Sequence, residues 1–92
     1  MLDDHLQAVL AGEEFLLFSH GSKYDTSHAA ERIRARFGET VFDGKGSETF
    51  SVTVTMGIAE YRYDKQFRDI VEIADKRLYY GKTHGKNQVV CD

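Results

Sequence analysis

The clearest pattern in the chain is an alternation. Phe50, Val52, Val54, Met56 and Ile58 are large and apolar, while Ser51, Thr53, Thr55, Gly57 and Ala59 between them are small. A period of two predicts a strand, and the contrast between its sides predicts that the large side packs on a helix layer. Upstream, Phe15-Leu16-Leu17-Phe18 is an unbroken apolar run followed by Ser19, Gly21 and Ser22, which predicts a strand buried on both faces. Ser22 and Asp25 stand at capping-box spacing, and Thr26, Ala29, Ala30, Ile33 and Phe37 follow at steps of three and four. They predict an amphipathic helix ending at Gly38, with Arg32, Arg34 and Arg36 mainly on its wetter side. Asp43-Gly44-Lys45-Gly46 predicts a turn between two strands. Asp64 is placed to cap a second helix carrying Phe67, Ile70, Val71, Ala74 and Leu78 on one stripe. Gly85 is a natural stop for it, with Lys82 and His84 complementing the dipole at its carboxyl end. Gln88-Val89-Val90 closes the chain as a short strand. Strand, helix, two hairpin strands, helix and strand predict a two-layer α/β domain.

Composition narrows the picture without changing it. Ninety-two residues make one small domain, which buries roughly 60 to 65% of its unfolded surface. There is no proline, no internal repeat and no low-complexity linker, so residues 1–92 read as one unit. The longest apolar runs, Ala8 to Ala11 and Phe15 to Phe18, are too short to cross a bilayer, and no membrane insertion is expected. Met1-Leu2-Asp3-Asp4 is acidic where a secretory leader is basic. A formal charge of −3 without a block of like charges excludes the footprint of a nucleic-acid polymer, though not a local basic pocket. The single cysteine, Cys91, forms no intrachain disulfide, and a reduced, cytoplasmic setting follows. The histidines include no i,i+4 pair of the kind a helical metal site uses.

The candidate chemistry lies in Ala11-Gly12-Glu13-Glu14-Phe15. A small-residue turn followed by two carboxylates and an apolar strand puts acid groups at the end of a hairpin. Backbone without bulky Cβ atoms can approach a phosphate there, and a carboxylate can hold a hard cation such as Mg²⁺. On these five residues alone, a tight turn with solvated glutamates is the simpler explanation.

Three further segments bear on that choice. Ala11 to Phe15 resembles the GG[D/E]EF signature, and Ala30-Glu31-Arg32-Ile33-Arg34 resembles the helix that follows it. Val52 to Ala59 is similar to a VTxSxGxA strand. Ala74 to Lys82, with Gly85-Lys86-Asn87-Gln88-Val89, is similar to an ADxALYxAK…GxNxV closing segment. These ordered matches span nearly the whole chain, which on their strength resembles the GGDEF, or diguanylate cyclase, family. The resemblance implies a palm-like fold of nucleotide-cyclase type with a mainly antiparallel sheet and two helices. It also implies a parent activity in which two GTP-loaded protomers condense GTP into cyclic di-GMP. Carried over by position, Glu13 is the metal-binding carboxylate and Glu14 the adjacent signature acid, both in the catalytic set. Gly12 lies against the nucleotide. Lys82 and Lys86 reach the terminal phosphates, although without the family match helix-dipole compensation is the preferred explanation for both. Lysine at Lys86 replaces the more usual arginine, keeping charge and losing a bidentate fork.

The departures from the family pattern carry equal information. Ala11 replaces the first glycine; if the position needs positive φ, its Cβ costs about 1–2 kcal/mol. The inhibitory product site uses an RxxD pair before the signature; those positions are Leu2 and His5, which leaves Arg32 as a remnant without partners. The upstream part of the family domain, with its first metal-binding aspartate and its base-reading residues, has no counterpart here. The chain therefore reads as a partial domain, catalytically inactive alone, with weak or absent Mg²⁺. In the resembled fold the missing strand lies between Phe15–Phe18 and Ser51–Ile58. Either these strands pair directly, or another copy fills the gap as a homodimer or segment-exchanged oligomer. The competing reading is a degenerate module that binds GTP or cyclic di-GMP, or simply dimerises, without turnover.

Overall fold

The computed structural model describes residues 7–46 and 48–92. A first strand, β1 (Gln7–Ser19), leads into α1 (Lys23–Glu39), then β2 (Phe42–Asp43), β3 (Thr49–Glu60), α2 (Phe67–Thr83) and β4 (Val89–Val90). The mixed class with two helices and a four-stranded sheet is the one the sequence predicts.

Strand β3 is the axis of the domain. On one side it pairs along its length with β1; on the other it pairs with β2 near its start and with β4 near Met56. The predicted turn at Asp43–Gly46 joins β2 to β3, closed by Gly44 N–H donating to Glu48 O at 2.8 Å. Phe42 and Phe50 stack across it with ring centroids 5.4 Å apart.

The alternation in β3 buries both of its sides. Val54, Met56 and Ile58 pack with Ala30 of α1, joined by Leu17 and Val89. Ala59 packs with Ile70 and Ala74 of α2, joined by Leu16 and Phe18. Successive strand residues face opposite ways, so the helices cover opposite faces and the domain has three layers rather than two. The small side is not a wetter side: small residues let α2 approach closely.

The sense of the sheet also differs from expectation. β1 and β4 both run parallel to β3, and only the short β2 is antiparallel. The expected central strand is absent from the described residues, and β1 takes its place against β3. Two strands that each run antiparallel to a common neighbour are parallel to one another, which is the sense observed. As an edge strand among the described residues, β1 is not buried on both faces; Phe15 is 44% exposed.

The helix ends show which local signals prevailed. Ser22 caps α1 and accepts from Tyr24 N–H at 3.1 Å, as its position predicts. The helix continues through Gly38 to Glu39, because Thr40 N–H donates to Arg36 O and Phe37 O and closes the last turn. Asp64 does not cap α2. It pairs with Arg62 at 3.0 Å, and Gln66 occupies the cap position with no side-chain bond. Gly85, at φ +108°, ends α2 as expected. No helix among the described residues is long and apolar enough to cross a membrane.

Candidate functional site

The signature lies within β1 rather than at a hairpin tip. β1 runs without reversal from Gln7 to Ser19, and the register against β3 shifts by one residue between Val9 and Ala11. A β-bulge at Leu10 thus stands just before Ala11 and Gly12, which continue the strand where a turn is predicted. A local run of small residues serves either geometry; the long partner strand β3 selects the extended one.

Beyond the bulge the register is regular, and it separates the two acids. Glu13 lies opposite Val54 and Glu14 opposite Thr55. Val54 belongs to the cluster under α1, whereas the neighbouring residue faces α2. The carboxylates therefore leave β1 on opposite faces. On the α2 face Glu14 Oε2 meets Lys82 Nζ at 3.2 Å, both side chains being partly exposed at 46% and 38%. Glu13, on the α1 face, makes no ion pair with another described residue.

Lys82 is placed by the last turns of α2, whose buried stripe Ile70, Ala74, Leu78 and Gly81 sits on the sheet. Lys86 follows in the loop after the helix, at φ 58°, with its N–H donating to Gly81 O at 2.8 Å. Both lysines thus belong to the end of α2, but only Lys82 contacts the signature. Arg32 lies on α1 and lines an open groove of about 520 Å³ with Ile33, Arg36, Phe37 and Phe42. Leu2 and His5 lie outside the described residues. Gly12 is in β1 opposite Thr53, in extended backbone.

Sequence reasoning missed two features that the fold creates. Arg34 chelates Glu31 one turn away, with Nε–O distances of 2.8 and 3.0 Å, and donates from Nη1 to Asn87 Oδ1 at 2.8 Å. That ion pair holds the Glu31 carboxyl below its usual range. Its i,i+3 half is visible in the sequence; its reach to Asn87 is not. Arg77 donates from Nη1 to Ile58 O at 2.7 Å, tying α2 to β3 from a position that reads as helix surface.

Magnesium is ordinarily held by one or two carboxylates together with substrate phosphates. Here Glu14 is engaged by Lys82, and Glu13 projects from the face opposite that cation. No group of three metal-ligating side chains converges among the described residues. Glu13 alone of the two is left to meet such an ion, and the described residues do not complete a magnesium site around it.

Comparison with known proteins addresses the lineage. The family described as diguanylate cyclase, GGDEF domain, matches residues 1–88. Diguanylate cyclase DosC of Escherichia coli is 30% identical over 79 residues, covering 85% of this chain and 17% of that protein. Diguanylate cyclase A of Treponema denticola is 38% identical over 82 residues, covering 85% of this chain and 21% of that protein. The chain thus spans about a fifth or less of the length of these relatives. No solved structure gives a significant match. With the signature, the β3 pattern and the closing segment all in family order, the chain belongs to the GGDEF domain family of diguanylate cyclases.

Proposed function

We propose that this chain is a cytoplasmic domain of cyclic di-GMP signalling that retains nucleotide-phosphate contacts at Lys82 and Lys86 and does not itself condense GTP. One observation carries this reading: Glu13 and Glu14 diverge to opposite faces of β1, and Glu14 is paired with Lys82. Condensing two GTP needs cations gathered around the α-phosphate and an aligned 3′-hydroxyl. Carboxylates on opposite faces of one strand cannot share a cation, and Glu13 alone is a weak ligand without a second protein carboxylate. The lysines remain able to meet a phosphate of GTP or cyclic di-GMP as point charges, and the residues of 1–92 act as part of the family domain. Arg32, without the RxxD partners, does not confer product inhibition.

Incubation with GTP and Mg²⁺ or Mn²⁺, followed by mass spectrometry, is expected to yield no cyclic di-GMP; steady product formation would overturn the reading. Titration calorimetry supplies a second arm. Glu14→Gln removes the carboxylate that competes for Lys82, so GTP affinity should rise between about 1.5- and 5-fold, the worth of an exposed ion pair. An unchanged affinity would remove Lys82 from the binding set.

The same fold favours self-association. β1 is paired on one side among the described strands, and an open edge of that length is a template for another chain. We assign the homodimer, or an exchange of β1 between copies, as the form adopted at high concentration. Light scattering across a dilution series checks it, and a monomer throughout would refute it.

A further inference from the structure

Lys86 and Asn87 have positive φ, at 58° and 49°, and they follow Gly85 at 108°. Left-handed backbone suits glycine and, less readily, asparagine, whereas a side chain such as lysine crowds the following carbonyl oxygen. Such a conformation persists where its surroundings over-determine it. For Lys86 the bond from its N–H to Gly81 O is an ordinary helix-end contact. Asn87 is held in a different way, from both sides of the sheet. Its N–H donates to Thr55 Oγ1 at 2.9 Å, and Thr55 is buried on the α2 side. Its side-chain Oδ1 accepts from Arg34 Nη1 at 2.8 Å, from α1 on the other side. Arg34 is itself aimed by Glu31, which takes Nε. One planar guanidinium thus serves two partners in fixed directions, which the single ammonium of a lysine cannot reproduce.

We propose that Arg34 is a positioning residue: through Asn87 it fixes the left-handed loop that carries Lys86, and hence the direction in which Lys86 meets a phosphate. The statement about the loop stands on the contacts alone; the statement about phosphate rests on the function proposed above.

Amide hydrogen exchange on the whole chain tests the loop. Arg34→Ala should speed exchange at Asn87 about tenfold, the effect of losing a charge-assisted hydrogen bond, while the buried turn of α1 around Ala30 keeps its protection. Arg34→Lys should fail to restore it. In an Asn87→Ala background Arg34→Ala should add nothing. Glu31→Gln, which loosens Arg34 without removing it, should show the same pattern more weakly and serves if Arg34→Ala does not fold. Unchanged exchange at Asn87, additive effects in the double variant, or equal loss over all of α1 would each overturn the assignment. GTP calorimetry tests the consequence: Arg34→Ala should weaken binding as Lys86→Ala does, with no further loss when the two are combined. Additive losses would refute positioning of Lys86, whereas a wild-type chain that binds no GTP would refute the nucleotide reading and leave the loop to be decided by exchange.

Discussion

Gly57→Ala is expected to remove much of the stability of this domain. A Cβ at Gly57 would stand 2.2 Å from Ala74 O and 2.5 Å from Leu78 N, with Leu78 Cα at 3.0 Å. All three are backbone atoms of α2, so no side chain can turn aside; the helix itself must move off the sheet. Overpacking typically costs about 1–3 kcal/mol where side chains can yield, and with only backbone to displace we expect about 3 kcal/mol or more. A domain of this length has roughly 5–14 kcal/mol in total. The melting temperature should therefore fall by roughly 12 °C or more, read by circular dichroism. A Tm within a few degrees of the wild type would show that α2 is not seated on β3 at this point.

The adjacent residue fails for the opposite reason. Ile58 is fully buried at 0% exposure on the α1 face, packed with Ala30, Val54 and Met56. Ile58→Ala leaves a cavity between β3 and α1, and such deletions cost about 2–5 kcal/mol depending on how far the site collapses. We expect about 3–4 kcal/mol, because a helix and a two-sided strand relax little around a void. Urea denaturation measures it, with Tyr63→Ala as the reference, since Tyr63 is 98% exposed. An Ile58→Ala loss no larger than the reference would mean the α1 face is not a packed core. Consecutive positions on one strand thus distinguish its two faces, one intolerant of added volume and the other of lost volume.

Those faces also mark how far the fold was legible in the sequence. The elements were visible because each has a local cause: alternation for β3, a three-and-four stripe for α2, Ser22 before α1 and Gly85 after α2. The arrangement of layers was not. A strand with one large and one small side suggests a single helix layer, yet the small side is where α2 approaches most closely, at Gly57. The sense of β1 was equally hidden. Ala11 and Gly12 suit a turn or an extended strand, and the choice falls to β3, which is remote in the chain.

The same limit applies to the site. Residue types at Glu13, Glu14, Lys82 and Lys86 were readable from the resemblance, but pairing was not. That Glu14 meets Lys82 while Glu13 faces away follows from strand register, a property of two segments together. Asn87 stood in the sequence only as part of the closing segment; its left-handed backbone and its partner Arg34 on the other helix needed the assembled sheet.

The parallel pairing of β1 with β3 has a consequence for how the chain assembles. Parallel neighbours cannot be joined by a tight turn, and here α1 and β2 intervene before β3 begins. Closing so wide a loop spends chain entropy before any contact rewards it. The β2–β3 hairpin and the packing of α2 on β3 involve nearer segments and are expected to form before it. β1 is expected to dock after them, which leaves the peptide groups of the signature strand open to another strand during folding.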